Sequence, residues 1–390
     1  MTAPTLTHAP VQRQLSLDVL RGITIAFMIM VNNNGGDGSW GFMNHSAWNG
    51  LTATDVVSPT FLFVVGVSIV FAFEARLARG TTRAELTRQT VRRAGILFLM
   101  GIVVNAFPIF ELAHLRIYGV LQRIGICYLV VGLFYLWDKR VWTKVVAVIV
   151  ALVGYWIMLR WVPVPGAGMP GRDIPFLDQN MNLPFWLDRQ IFPYHLALAP
   201  PDYNLHDEQG LLSDITSICS TLMGVFAGLW LLGSRKIATK TKGLAMGAVG
   251  CLLVGYLWAI WFPINKNLWT STFVLVAAGW SLTALMLTYW AVEQRGWGKG
   301  SSKGWTWPWL VFGSNAIVAY MLSSLVSNSF WKIKFTSGGR QMDIQGYLFA
   351  HSFAYIPNPG WATFAYSISF TLFCFIPAWI LYRKKIFVKV

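Results

Sequence analysis

Charged residues are scarce in this chain. Asp, Glu, Lys and Arg make up only 12% of its 390 residues, whereas hydrophobic residues make up 55%. Soluble globular domains carry about 25% charged residues, so the composition excludes an ordinary soluble protein. It is typical of an integral membrane protein.

Cysteine and histidine are also few. The four cysteines lie inside apolar runs and form no CxxC pair, and the six histidines show no metal-ligand spacing such as HExxH. We therefore expect no disulfide framework and no metal cofactor. The four cysteines are Cys127, Cys219, Cys251 and Cys374.

The apolar residues gather into runs that are long enough to cross a bilayer, which takes about 20 residues. They predict an all-α fold, a polytopic bundle of ten transmembrane helices, with eleven as the alternative if the moderately apolar stretch 341–355 also crosses. The runs are 16–33, 53–74, 92–110, 119–137, 143–163, 210–233, 241–263, 267–291, 306–328 and 361–382. No repeat or long linker divides the chain, so we predict a cytoplasmic segment at 1–14 and one transmembrane domain at 15–390. The first run contains charges and no cleavage pattern, so we expect it to remain as an anchor.

Acidic residues are half as numerous as basic ones, with 16 Asp and Glu against 31 Lys and Arg. Lys and Arg accumulate in the short cytoplasmic loops of membrane proteins. Placing both termini in the cytoplasm puts 22 of the 31 basic residues on that side, so we predict this orientation. The same bias explains the net charge of +15, and we expect no nucleic-acid partner because no basic stretch is interleaved with aromatics.

Proline is concentrated in residues 161–209, which contain eight of the 17 prolines. Proline at this density opposes a long helix. Tryptophan and tyrosine are interleaved with it, which favours packing. We predict an ordered, irregular extracytoplasmic cap at 161–209, with a linker as the alternative.

A polar loop between the first two runs carries the strongest candidate for chemistry. Residues 44–55 read NHSAWNGLTATD, so one imidazole is followed ten residues later by a carboxylate where apolar sequence resumes. His45 titrates near neutral pH and can act as a base or a nucleophile, while Asp55 can orient its ring. The alternatives are a loop histidine packed on Trp40 and Trp48, and a helix N-cap for Asp55.

The predicted topology brings further polar residues to the same membrane face. A base, a carboxylate, amide donors and cations are together the groups that acyl transfer requires. These further residues are Asn32, Asn105, Arg116, Gln122, Arg123, Lys266 and Asn267. One isolated acid, Asp214, lies inside a predicted helix, where it would suit a proton or cation path.

Basic residues at the cytoplasmic helix ends have two interpretations. Arg21 follows Asp18 by three residues, so the two share a helix face and are predicted to pair. The group as a whole either sets the topology or binds a phosphate. The phosphate candidates are Arg21, Arg92, Arg93, Arg383, Lys384, Lys385 and Lys389.

Several ordered motifs resemble one family from about residue 14 to the C-terminus. They are LDVLRG at 17–22, VN at 31–32, HSAWNGLT at 45–52 with Asp55, RIYGVLQR at 116–123, PINKNLW at 263–269 and LYRKKIF at 381–387. In these motifs the chain resembles the heparan-α-glucosaminide N-acetyltransferase family.

The resemblance implies a multi-helix membrane enzyme that moves an acetyl group from cytoplasmic acetyl-CoA to an amino sugar on the other side. His45 corresponds to the active-site histidine of the family, with Asn32 and Asp55 as polar positions beside it. It further implies a bacterial version in the inner membrane, whose acceptor can differ from heparan sulfate; a homodimer is left open. We assign CoA to the basic cytoplasmic residues, and the acceptor to Trp48, Asn49, Arg116, Gln122, Arg123, Lys266 and Asn267.

Three functions remain in competition at this point. In the acetyltransferase, His45 serves as base or as transient acyl carrier, and the sequence does not separate the two. An envelope-glycan O-acyltransferase keeps the donor but replaces the amine with a hydroxyl. A sugar or lipid-linked glycan transporter needs no acetyl-CoA and would show inverted repeats and paired broken helices, neither of which the sequence displays.

Overall fold

The computed structural model describes residues 14–36, 38–192, 207–298, 304–337 and 339–388, and these are largely helical. The α-helices in this part of the chain are α1 (Leu15–Val31), α2 (Ala53–Leu77), α3 (Arg83–Ala106), α4 (Val120–Trp137), α5 (Val141–Trp161), α6 (Leu183–Ile191), α7 (Asp214–Leu232), α8 (Ile237–Trp258), α9 (Ser271–Tyr289), α10 (Trp307–Ser314), α11 (Ala316–Lys332), α12 (Ile344–Ser352) and α13 (Pro359–Arg383). Strands β1 (Lys334–Ser337) and β2 (Arg340–Asp343) form an antiparallel hairpin. Single 3₁₀ turns occur at Gly41–Met43 and Leu112–His114, and a π-helical turn at Trp290–Gln294 continues α9.

Each of the ten predicted runs overlaps one of these helices or the α10–α11 pair. Seven of the described helices are long and apolar enough to cross a membrane, or eight if the bent pair α10–α11 counts as one span. The all-α membrane fold is thereby confirmed, whereas the number ten and the orientation of the termini stay predictions. The only helix in stretch 341–355 is α12, whose nine residues give about 14 Å of helix, which is too short to cross.

Helix α3 begins earlier than the apolar run at 92–110 indicates. Its first residue is Arg83, and the Thr82 side chain caps it by accepting a hydrogen bond from the Glu85 N–H at 3.2 Å. The first half of α3 carries several charges, so hydropathy does not detect it although the cap defines a helix start.

Glycines allow several helices to approach one another closely. A Cβ placed on Gly66 of α2 would lie 1.9 Å from the Thr221 carbonyl oxygen of α7, and one on Gly22 of α1 would lie 1.7 Å from the Trp309 carbonyl oxygen of α10. Small residues are the usual means by which membrane helices bring their backbones together. These contacts hold α1 and α2 firmly, and the loop between these two helices carries His45.

The α10–α11 pair is a broken helix, because its two parts meet at 80° around Asn315. Asn315 is buried and binds the C-terminal tail: its Nδ2 donates to the Ile386 carbonyl at 3.1 Å, and its Oδ1 accepts from the Val388 N–H at 3.0 Å. The break is thus held by the tail that follows α13.

Loops from several helices meet at one end of the bundle. Asn105 at the end of α3 donates to the carbonyl of Arg116 at 2.9 Å, and Trp48 Nε1 donates to the Leu177 carbonyl at 2.7 Å. The predicted cap is described at 161–192 and at 207–209; residues 161–192 consist of turns, two isolated bridges and α6, and they pack on a cluster that includes Tyr155 and Phe262. Residues 193–206 of that predicted cap lie outside the described residues.

Candidate active site

The loop between α1 and α2 is fixed by contacts with the loop between α8 and α9. The Gly50 N–H donates to the Ile264 carbonyl at 2.8 Å, and Asn265 Nδ2 donates to Asn49 Oδ1 at 3.1 Å. Gly50 has φ +124, a conformation that favours glycine. The two loops therefore form one unit, although more than 200 residues separate Asn49 from Asn265.

Asp55 lies at the third position of α2 and its side chain is fully buried. One oxygen, Oδ2, accepts from the backbone N–H groups of Ser46 at 3.1 Å and Thr52 at 3.0 Å, and from the Thr52 hydroxyl at 3.1 Å. Acceptance from the Thr52 N–H is half of a capping box. The N-cap of α2 is therefore Thr52, and Asp55 is its capping-box partner at N3 and not the N-cap that the sequence suggested; the other Asp55 oxygen remains available to His45.

The imidazole of His45 is oriented by Asp55. His45 Nδ1 lies 2.7 Å from Asp55 Oδ1, and the His45 side chain is 47% exposed. A buried carboxylate at this distance favours a proton on Nδ1, which leaves Nε2 with the lone pair. His45 therefore presents a basic, nucleophilic nitrogen away from Asp55.

Lys266 is the third charged group at this point. Its Nζ lies 2.9 Å from His45 Nδ1, 3.4 Å from His45 Nε2 and 3.7 Å from Asp55 Oδ1. Because both ring nitrogens are nearly equidistant, the ammonium cannot lie along the lone pair of either one, and it acts on the ring mainly through its charge. Burial lowers the pKa of Lys266, while Glu208 and Asp55 oppose that shift.

These side chains open onto a small cavity of about 120 Å³. His45, Asn32, Lys266, Ser58, Glu208 and Gln209 are among the residues that line it. A base, a cation and an amide around one cavity can remove a proton, stabilise a developing negative charge and orient a carbonyl group. This is the arrangement that acyl transfer needs.

Sequence reasoning missed the acidic segment that closes this cavity. Arg116 binds Asp207 with two hydrogen bonds, Nε to Oδ2 at 2.7 Å and NH2 to Oδ1 at 2.6 Å, and it also donates to Gln209 Oε1. The Asp207 carboxylate raises the pKa of Arg116 against the opposing effect of burial. The sequence DEQ at 207–209, directly before an apolar run, was the available signal, but nothing local shows that Arg116 holds it.

Arg123 and Gln122 lie inside the bundle, and neither lines the cavity. Arg123 is buried and pairs with Asp214, with Nε 3.0 Å from Oδ1, while its guanidinium lies over the Trp269 ring at 4.6 Å. Asp214 thus has a cationic partner and is not the isolated acid that the sequence suggested. Gln122 is buried close to Gly101 and Gly119.

The other residues predicted to contact the acceptor surround the site without entering it. Trp48 packs on the cap through Phe185, with ring centroids 6.1 Å apart. Asn49 is bound by Asn265. Asn267 is half-buried in the turn after Lys266.

Three of the basic residues predicted to bind CoA, Arg21, Arg93 and Arg383, have separate local partners. Arg21 pairs with Asp18 at 3.3 Å, as predicted, and donates to the Gly313 carbonyl at 3.2 Å. Arg93 lies over the Tyr128 ring and Arg383 over the Trp379 ring. Arg92 and Lys384 are exposed. Lys389 lies outside the described residues.

A larger open cleft of about 600 Å³ lies elsewhere, between the ends of α5 and α8. Trp156, Trp161, Trp261, Phe176 and Arg160 line it. It contains no acid or base that titrates near neutral pH, so the smaller cavity at His45 is the better candidate for chemistry despite its size.

Comparisons with known proteins agree with the motifs. The family model described as "Heparan-alpha-glucosaminide N-acetyltransferase, catalytic" matches residues 13–180. The chain is 26% identical to the Mus musculus heparan-alpha-glucosaminide N-acetyltransferase, covering 99% of this chain and 62% of that protein. It is 28% identical to the Homo sapiens heparan-alpha-glucosaminide N-acetyltransferase, covering 97% of this chain and 60% of that protein. The resemblance is confirmed, and the chain spans about three fifths of the length of these relatives.

Proposed function

We propose that this protein is a membrane N-acetyltransferase that moves an acetyl group from acetyl-CoA to the amine of an amino sugar. The observation that carries the proposal is the His45–Asp55 pair at 2.7 Å, which opens onto a cavity shared with Asn32 and Lys266. The similarity to proteins named as N-acetyltransferases gives the reaction class. The cavity supplies groups suited to each of its steps.

In the general-base version, His45 Nε2 takes a proton from the acceptor amine as the amine attacks the thioester carbonyl. Asp55 stabilises the imidazolium that forms, and the proton then passes to the departing CoA thiolate. In the carrier version, Nε2 attacks the carbonyl first, and the amine then attacks the acetyl-imidazole. Both versions end in an amide and free CoA, and both need Nε2 unprotonated.

The negative charge that develops on the carbonyl oxygen needs a stabilising partner in either version. Asn32 and Lys266 both line the cavity, the first as an amide donor and the second as a cation. Loss of one such donor typically costs about 100-fold or more in rate. We therefore assign the carbonyl oxygen to the space between these two side chains.

The proposal includes an orientation in the membrane. The site end of the bundle would face away from the cytoplasm, and the basic loops would face the cytoplasm, in accordance with the distribution of Lys and Arg. CoA would enter from the basic face, with its phosphates near residues such as Arg21, and its pantetheine arm would reach toward His45. In a bacterial cell the proposed enzyme would lie in the inner membrane.

The test is acetyl transfer by purified protein given acetyl-CoA and glucosamine, with free CoA and N-acetylglucosamine followed by mass spectrometry. We expect His45→Ala to slow the transfer by about 100-fold or more. His351→Ala is the matched control, because His351 lies on α12, is exposed and binds the Tyr347 carbonyl. Normal transfer by His45→Ala would exclude both versions, and an acetyl group trapped on His45 supports the carrier version.

One observation favours a transporter as the second candidate. The α10–α11 pair is broken at 80°, and broken helices line the substrate sites of transporters. The transporters of that type carry two such helices in corresponding halves, whereas one bent pair is found in the described part of this chain. Glucosamine uptake by vesicles without acetyl-CoA would favour this candidate, and acetylation of N-acetylglucosamine would favour an O-acyltransferase.

A further inference from the structure

Two carboxylates lie within 4.0 Å of Lys266, Asp55 beneath the cavity lining and Glu208 in it, and only Asp55 has its acceptor capacity in use. Asp55 receives hydrogen bonds from Ser46, from Thr52 and from His45. It is also fully buried. A ligand in the cavity therefore finds no free oxygen on Asp55.

Glu208 is the carboxylate that remains available. Its side chain lines the cavity and is 43% exposed. Its nearest charged partner within the described residues is Lys266, whose Nζ lies 4.0 Å from Oε2, beyond hydrogen-bond distance. Both Glu208 oxygens can still accept hydrogen bonds from a ligand.

The position of Glu208 is set by its neighbours in sequence. Arg116 holds Asp207 with two hydrogen bonds and donates to Gln209, so the residues on both sides of Glu208 are fixed. Glu208 therefore faces the cavity without using its own carboxylate as an anchor. A preorganised, unused acceptor is typical of a residue that recognises a ligand.

The charges of the cavity favour a cation. Asp55 and Glu208 are formally negative and Lys266 is formally positive, so the site carries one surplus negative charge when His45 is neutral. An amino sugar carries an ammonium group below the pKa of its amine, whereas the corresponding neutral sugar carries none. The amine acceptor is thus the one whose charge complements the cavity.

We propose that Glu208 is the specificity-determining residue that binds the ammonium group of the acceptor sugar. This inference rests on the proposed function. A protonated amine must lose two protons in the reaction: one reaches the CoA thiolate through His45, and the other leaves the site. The half-exposed Glu208 carboxylate accepts that second proton from the ammonium and passes it to water, which leaves a neutral amine able to attack the thioester.

The test compares wild type with Glu208→Gln, which preserves the shape of the side chain and removes its charge. We expect the KM for glucosamine at pH 7 to rise about ten-fold, the lower end for a hydrogen bond to a charged group. The KM for acetyl-CoA and the affinity for glucose as a neutral competitor should not change. Glu85→Gln is the matched control, because Glu85 lies in the first turn of α3 and does not line the cavity.

A purely structural role for Glu208 as a partner of Lys266 predicts a different pattern. In that case Glu208→Gln would weaken glucose and glucosamine alike, and the effect would not depend on pH. Recognition of the ammonium makes a different prediction. The KM for glucosamine of Glu208→Gln, divided by that of wild type, should approach one as the pH rises past about 8, where an amine of this kind loses its proton. A ratio that stays constant with pH would overturn the proposal.

Binding in the His45→Ala background separates this proposal from the proposed function. Glucosamine affinity is measured by calorimetry in His45→Ala with and without Glu208→Gln, so no turnover is needed. A preference for glucosamine over glucose that disappears with Glu208→Gln supports the proposal even if wild type transfers no acetyl group, in which case only the proposed reaction fails. Equal glucosamine affinities in His45→Ala with and without Glu208→Gln would overturn the proposal for Glu208, even if wild type is an active enzyme.

Discussion

Replacing Asp55 with asparagine should slow the proposed acetyl transfer sharply while leaving the protein folded. The Ser46 and Thr52 N–H groups both donate to Asp55 Oδ2, so in Asp55→Asn the amide oxygen must occupy that position. The amide nitrogen then faces His45 Nδ1, which can only accept. The imidazole proton therefore moves to Nε2, the nitrogen that has to act as the base.

The expected loss in kcat/KM is about 100- to 10,000-fold, the usual contribution of a positioned general base. Stability should change far less, because the backbone donors keep their acceptor. In Asp55→Ala both N–H groups lose it, at about 1–3 kcal/mol each, so about 2–6 kcal/mol in total. Comparing the two variants therefore distinguishes a loss of activity caused by the wrong His45 tautomer from one caused by unfolding.

The assay is acetyl transfer to glucosamine together with thermal unfolding in detergent. Asp343→Asn is the matched control, since Asp343 caps α12 by accepting from the Gly346 N–H at 2.6 Å and lies outside the cavity lining. Asparagine caps helices about as well as aspartate, so this control should keep both activity and stability. If Asp55→Asn is as active as wild type, the assignment of the base to Nε2 is wrong.

Two further predictions concern stability. Burial raises the pKa of Asp188 to about 7 from 3.8. Between pH 4 and 7 the Asp188 carboxyl group therefore stays protonated in the folded state and is ionised in the unfolded state. Stability should fall by about 4 kcal/mol over that range, and Asp188→Asn should flatten the pH dependence of the melting temperature. Gly22→Ala should destabilise the protein by about 1–3 kcal/mol, because the added methyl group forces α1 away from α10. Gly95→Ala has open space around its position and should stabilise α3 by up to about 1 kcal/mol. Equal melting temperatures for the two variants would contradict the packing argument.

The helices could be located from the sequence, because bilayer thickness imposes a length on apolar runs. The boundaries were less accessible where helices extend into polar surroundings. Helix α3 begins at Arg83 because Thr82 caps it, yet hydropathy reports only its apolar second half. The break at Asn315 depends on contacts with the tail at Ile386, and contacts of that range leave no local pattern.

Some residues of the candidate site could likewise be predicted from the sequence and others could not. His45, Asp55 and Lys266 were available from motifs, and the structure brings them within 4 Å of one another. Glu208 could not be found from the sequence, because its position depends on Arg116, which lies about 90 residues earlier. Arg123 was assigned to the acceptor from its motif alone, and burial beside Asp214 shows why a motif does not tell a ligand contact from an internal ion pair.

The union of two distant loops has a consequence for biosynthesis. His45 and Lys266 are 221 residues apart, and a ribosome that adds about 5–20 residues per second needs roughly 10–45 s to make the chain between them. During that interval the nascent protein can pair His45 with Asp55 but has no ammonium beside them and no partner for Asn49. The His45–Asp55 pair therefore acquires Lys266 as a neighbour only after the loop between α8 and α9 has been synthesised.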